Sequence, residues 1–360
     1  MDKSRPIIAL NYYFNSDELN NRIFAADCNT GKAQGLKAFR AFMHARGAEV
    51  VTLDTVDFQD PNVKHVLYFE YNWRLVRSDP FLRRIPREKR VLVLLEPANI
   101  NPSLYHTALL RDRFHTVFTW DLNLLRKNPA YSQINVPVGA EPRTYRENPF
   151  RNISFSDKRF LVAVSRNRWS YMPQSTYPLR KRAYRYFERA FPRQFDLYGI
   201  GWNAPCIFYE KWFGHPRFAS WRGEIDDTWD AKVHKIAAYK FALCFENNAS
   251  EPGYISEKIT DCFCARCVPV YYGSKGTEAL IPRDAWIDLR DFKNFAELAR
   301  YLESMDEAHY NRYIAAIDRF MLSDRLDFFS TDHFYGVIAD RLGFTGSTRD
   351  MGDVIRRGTP

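Results

Sequence analysis

Residues Tyr239 to Gly273, Y-K-F-A-L-C-F-E-N-N-A-S-E-P-G-Y-I-S-E-K-I-T-D-C-F-C-A-R-C-V-P-V-Y-Y-G, constrain the fold more than any other stretch of the chain. The apolar run Tyr239 to Phe245 ends in Glu246, Asn247 and Asn248, the pattern of a buried parallel strand whose carboxyl end opens into a site. A loop with Pro252 and Gly253 follows, Ser256 is placed to cap a helix that starts at Glu257, and Val268 to Tyr272 reads as the next strand. This is a βαβ unit. Ligands of open α/β sheets bind outside the carboxyl ends of the strands, and free N–H groups at a helix start suit phosphate.

The rest of the chain repeats the alternation. Strands are expected at Ile7 to Tyr12, Ala48 to Leu53, His65 to Phe69, Val91 to Leu95, His115 to Trp120 and Asn135 to Val138, and a helix over Lys32 to Arg46. Phe150 to Lys158 reads as a polar linker, after which strands are expected at Phe160 to Val164, Phe195 to Gly199 and Trp286 to Leu289. Helices are expected over Leu179 to Phe191, Lys232 to Ala238, Phe295 to Ser304 and Ala308 to Leu322. Such alternation predicts parallel sheets wrapped by helices. A length of 360 residues suits two domains. We place them at 1–150 and 151–345, with 346–360 as a loose tail.

With 52 basic against 43 acidic residues the chain carries +9, which favours anionic partners such as phosphates, acidic glycolipid or a membrane surface. The run Arg74 to Arg90 is the densest basic segment; it suits either a solvated face or an acidic acceptor or lipid headgroup. No nucleic-acid-binding module accompanies these charges, so nucleic acid is not expected as a partner. No apolar run reaches the ~20 residues of a membrane span. Six scattered cysteines and no signal peptide point to reduced thiols and a cytoplasmic protein, touching a membrane only from its surface. Cys262, Cys264 and Cys267 lack a second ligand pair at zinc-ribbon spacing and read as small buried side chains.

The chemistry-bearing candidates follow from this layout. Glu96, fixed by Pro97 at the end of the Val91 to Leu95 strand, is placed for general-base work in a cleft between two Rossmann-like domains, although strand-end carboxylates also cap neighbouring helices. On the arginine-dense helix, Arg182 and Arg185 are three apart and share a face on which they could converge on a diphosphate; solvated charges are the alternative. There is no P-loop, no G-x-G-x-x-G and no D-x-D pair to hold a divalent metal on a sugar nucleotide. A departing diphosphate would then be stabilised by cations and a helix dipole, with Lys258, Arg182 and the helix start at Glu257 available. Two such halves are expected to form a GT-B-type α/β fold, their parallel sheets facing a cleft.

F-E-N (Phe245 to Asn247), Y-I-S-E-K (Tyr254 to Lys258) and V-P-V-Y-Y-G (Val268 to Gly273) resemble the signature of the glycosyltransferase family 10 alpha-1,3/4-fucosyltransferases. In the same order, Glu96-Pro97 is similar to that family's E-S-P, Phe118 to Asp121 to its F-N-W-T, and Val136 to Gly139 to its P-Y-G; Arg182 with Tyr184, then Asp196 and Tyr198-Gly199, resembles its arginine-tyrosine pair followed by D-x-F-G. These matches take in roughly half of the chain, from Leu92 to Gly273. The resemblance implies inverting transfer of L-fucose from GDP-β-L-fucose, with Glu96 as base. It implies Lys258 and Arg182 (or Arg185, one turn on) on the diphosphate, Glu257 on the ribose, and Asn247, Glu246 and Tyr254 lining the donor. The acceptor implied is a hydroxyl of a GlcNAc/Gal-containing oligosaccharide or glycolipid, such as a lipopolysaccharide O-antigen or a capsule repeat, with no cofactor and no essential metal. The serine of E-S-P is missing here, and the membrane anchor and lumenal disulfides of animal members are absent, which points to a bacterial cytosolic member. A transferase for another GDP-6-deoxyhexose, or a non-catalytic glycan or anionic-lipid binder on the same fold, are the alternatives.

Overall fold

The computed structural model describes residues 5–12, 14–70, 82–97, 99–100, 112–138, 145–206, 212, 217–226 and 228–345. The expectations for Arg74, Arg77, Gly139 and the 346–360 tail lie outside them.

Two compact units divide the chain, residues 1–136 with the segment from Thr331 onward, and Pro137–Ser330. In the first, β1 (Ile7–Asn11) leads into α1 (Gly31–His44), capped by the Thr30 hydroxyl on the Ala33 N–H. Strands β2 (Glu49–Thr52), β3 (Val63–Phe69), β4 (Arg90–Leu94) and β5 (Thr116–Thr119) follow, then α2 (Leu122–Lys127) and the short β6 (Ser132–Gln133). Every pairing is parallel, in the order β2-β1-β3-β4-β5-β6. The strands read as near-continuous apolar runs because both faces are covered: Ile8, Leu10, Leu67 and Val91 pack to one side, and Ala9, Val66, Tyr68 and Leu92 to the other.

The second unit carries β7 (Arg159–Val164), α3 (Tyr177–Ala190), β8 (Phe195–Tyr198), α4 (Trp229–Ala237), β9 (Tyr239–Phe245), α5 (Glu257–Cys264), β10 (Val268–Tyr272), β11 (Ile287–Asp288), α6 (Phe295–Glu303) and α7 (Glu307–Met321). Its sheet is also parallel throughout, in the order β11-β10-β9-β7-β8. Gly199 closes β8 at φ +120, where a Cβ would stand 2.2 Å from the Ser165 carbonyl oxygen. Both units are thus Rossmann-like, the α/β class expected. Cys244, Cys262, Cys264 and Cys267 are free thiols buried in the second core. No helix among the described residues is long and apolar enough to cross a membrane.

Three expectations need correction. The division falls at residues 136/137 and not at 150. Val138 and Tyr145 lie in the second core, the Val138 N–H donates to the Phe329 carbonyl at 2.9 Å, and the Asn148 amide donates to the Cys264 carbonyl at 2.6 Å. The same bonding withdraws Asn135 to Val138 from the first sheet, whose last strand is Ser132–Gln133. The chain also does not end in the second unit. After Ser330, α8 (Thr331–Arg341) returns to the first, burying Phe334, Tyr335, Ile338 and Ala339, and Tyr335 donates its hydroxyl to the Gly35 carbonyl at 2.7 Å.

Candidate functional site

In the second unit the strand order places neighbours β7 and β9 at the point where connections leave in opposite directions, the switch point at which doubly wound sheets take ligands. The carboxyl end of β9 is Phe245-Glu246-Asn247. Glu246 is wholly buried and anchors the next helix: its two oxygens accept from the Ser256 N–H at 2.9 Å and the Ser256 hydroxyl at 2.7 Å, and Tyr271 donates to it at 3.2 Å. Ser256 is the N-cap of α5, so the buried carboxylate fixes where that helix begins.

Lys258 stands in the first turn, its Nζ 2.8 Å from the Ser256 hydroxyl, 3.5 Å from Glu246 and 3.6 Å from Glu257. Burial disfavours its charge, but the Glu257 and Glu246 carboxylates outweigh that and hold it well above the ordinary lysine value. Burial works against the Glu257 charge as well; Lys258 and Lys232 overcome it and bring the carboxyl down to about 2. Lys232, from α4, also pairs with Asp261 on the second turn of α5, and there burial prevails, raising Asp261 to about 6. Tyr254 is buried beside the helix start, its carbonyl accepting from Ser274 at 3.2 Å. The cluster presents an amine on a helix N-terminus with flanking carboxylates, able to hold a phosphate on the amine and hydroxyls on Glu257.

The arginine that reaches this strand end is Arg180, which the sequence reading passed over. Its side chain is buried, and Nη2 donates to the carbonyls of Phe245 at 2.9 Å and Glu246 at 3.3 Å, 3.5 Å from the Asn247 side-chain oxygen. Its Nε–H is buried with no hydrogen-bond partner among the described residues. Arg182 and Arg185 do not join it. Arg182 is exposed, and both line a groove of about 780 Å³ with Phe218 and Phe295, where Arg185 donates to the Arg217 carbonyl and lies 3.8 Å over the Phe218 ring. Helical spacing is the reason. Residues two apart diverge, whereas Arg180 and Tyr184, four apart, share the face that packs on the sheet. Asp196 is a structural anchor, wholly buried and bonded to Arg159, Arg222 and Tyr239.

The first unit has the same switch point, between β1 and β3. Tyr12 follows β1, Glu70 follows β3 and Glu96 follows β4. Burial raises the Tyr12 phenol, and the negative charges of Glu70, Glu96 and Glu18 push it further. Lys32 pairs with Glu18 and lies 5.6 Å and 5.5 Å from the ring centres of Tyr12 and Phe14. Glu96 therefore belongs to a carboxylate and aromatic cluster whose other members carry no motif. In the basic run, Lys89 donates to the carbonyls of Phe58 and Asp60, and Arg90 to that of Ile85; Arg83, Arg84 and Arg87 are exposed. Among the described residues no group of three or more His, Cys, Asp or Glu is placed to hold a metal.

Two parallel Rossmann-like units, each with polar side chains gathered at its switch point, define the GT-B type of glycosyltransferase fold. The chain is similar to a solved alpha1,3-fucosyltransferase with GDP-fucose, covering 97% of this chain and 94% of that one at 16% identity and a TM-score of 0.54. Residues 208–329 match the model of the glycosyltransferase family 10 (fucosyltransferase) C-terminal domain. It is 35% identical over 79 residues, 22% of this chain and 16% of the relative, to alpha-(1,3)-fucosyltransferase FucT of Helicobacter pylori. To alpha-(1,3)-fucosyltransferase 7 of Bos taurus it is 31% identical over 212 residues, 58% of this chain and 51% of the relative. The chain thus spans about half, or less, of the length of these relatives.

Proposed function

We propose that the chain is an inverting alpha-1,3-fucosyltransferase that moves L-fucose from GDP-β-L-fucose to a hydroxyl of a GlcNAc/Gal-containing glycan, such as a lipopolysaccharide O-antigen. The observation that carries this reading is the cluster of Lys258, Glu257, Glu246 and Arg180 at the β7/β9 switch point, the first three of them inside the stretch that matches the family 10 domain. Lys258 and the Arg180 Nε–H hold the diphosphate, and the α5 dipole adds to the field on its departing oxygen. Glu257, ionised across the working pH range, accepts from the ribose hydroxyls, with Asn247 and Tyr254 lining the donor. Glu96 takes the proton of the acceptor hydroxyl as its oxygen bonds to the anomeric carbon and the bond to GDP breaks. A metal is not assigned a part, because two cations and a helix terminus offer the leaving-group stabilisation that a divalent ion would otherwise supply. The protein works in the cytoplasm, meeting a glycolipid acceptor at the membrane surface.

Glu96→Gln is the test. It is expected to lower radiolabelled fucose transfer by at least ~10²-fold while calorimetric GDP affinity stays within about two-fold, as loss of a general base requires. Normal turnover in that variant sinks the assignment, and a donor panel of GDP-6-deoxyhexoses identifies the sugar. EDTA is expected to leave most of the activity.

A further inference from the structure

The Glu96 peptide is gripped by its neighbours. Glu70 Oε1 accepts from two successive backbone N–H groups, Leu95 at 2.5 Å and Glu96 at 2.8 Å, while the buried Trp120 indole donates to the Leu95 carbonyl at 2.8 Å. The Glu70 N–H itself bonds the Val93 carbonyl at 3.0 Å, carrying the β3 to β4 ladder one residue past the strand. Just past the end of β4, a side-chain carboxylate accepts these two N–H groups. Glu70 is buried and sits at φ +59, in the left-handed region where residues other than glycine are disfavoured. A glycine would satisfy that backbone; a glutamate is called for only if its side chain is. Strain of this kind, kept beside a candidate reacting group, points from geometry to function.

We infer that Glu70 is a positioning residue, whose carboxylate fixes the Leu95–Glu96 peptide and so sets where the Glu96 carboxylate stands during proton transfer. This rests on the reading of Glu96 as base. Through its bonds to the Leu95 and Glu96 N–H groups, Glu70 acts on the reaction by way of Glu96.

Three substitutions separate this role from a purely structural one. Glu70→Ala and Glu70→Gly both remove the clamp, and Glu70→Gly also suits the left-handed backbone, so it keeps the test open if Glu70→Ala is unstable. Both are expected to lower kcat about 10- to 100-fold, the scale of a small misplacement of a catalytic group, with donor KM and GDP affinity within about two-fold of wild type. Glu70→Gln keeps a carbonyl oxygen for the two N–H groups and is expected to restore kcat to within about three-fold. In a Glu96→Gln background, Glu70→Ala is expected to cost no further rate. Wild-type kcat in Glu70→Gly overturns the inference, as does a Glu70→Ala loss of the same factor with and without Glu96. An inactive Glu96→Gln beside a fully active Glu70→Gly removes only the positioning role, whereas a normal Glu96→Gln removes both readings.

Discussion

Arg180 and Arg182 stand two residues apart on one helix, and exchanging their expected roles gives a sharp test of the donor site. In Arg180→Ala the carbonyls of Phe245 and Glu246 lose a charged donor at 2.9 Å and 3.3 Å, in a site from which water is largely excluded. A hydrogen bond to a charged group contributes about 1.5–3 kcal/mol, so folding stability is expected to fall by about 2–3 kcal/mol. The buried Nε–H, assigned above by proposal to the diphosphate, goes too; one such contact on a diphosphate is worth about 1.4–2.8 kcal/mol, a 10- to 100-fold loss of GDP affinity. Arg180→Lys keeps the charge without the planar fork and is expected to recover less than half of that loss in free energy. Arg182→Ala removes an exposed side chain from the groove beside Phe218, so stability is expected within about 0.5 kcal/mol of wild type and GDP affinity within about two-fold. Urea unfolding and GDP calorimetry on the three variants read both quantities. Wild-type GDP affinity in Arg180→Ala, with a tenfold loss in Arg182→Ala, would refute the assignment.

Two further outcomes follow from the cores and the charges. Asp261 binds its proton more tightly folded, at about 6, than unfolded near 3.8, so its contribution to stability declines as pH rises through that window; Glu257, lowered from 4.5 to about 2, contributes in full above 4.5 and loses that contribution as pH falls toward 2. Between pH 4.5 and 6, wild type should therefore lose about 1.5 kcal/mol relative to Asp261→Asn in urea unfolding, and parallel pH curves would contradict the assignment. Tyr335→Ala removes a ring packed 5.2 Å from Phe39 and 5.5 Å from Phe42, plus the bond to the Gly35 carbonyl, and should cost about 3–5 kcal/mol. Hydrogen exchange should locate that loss in β1 to β3, and unchanged protection there would show that α8 is not integral to the first core.

Much of the architecture was legible in the residues because both sheets are parallel and buried, so their strands are short apolar runs separated by helix-period patterns. The Tyr239 to Gly273 stretch folds as its spacing demands, strand Tyr239–Phe245, helix from Glu257 and strand Val268–Tyr272, since Ser256 and the apolar periodicity act locally. Lys258 and Glu257 were legible for the same reason: three consecutive residues, Ser256 to Lys258, set the helix start and its charges. What the sequence did not determine depends on contacts between segments far apart in the chain. The choice of Arg180 over Arg182 needed the packed face of α3, which the distant strand end Phe245-Glu246 selects. Glu70 lies 26 residues before Glu96, outside any motif, and its partnership exists only because β3 and β4 are neighbours in the sheet. The return of Thr331–Arg341 to the first unit was likewise decided by burial against Phe39 and Gly35, some 300 residues upstream, a preference that helical periodicity alone leaves unassigned.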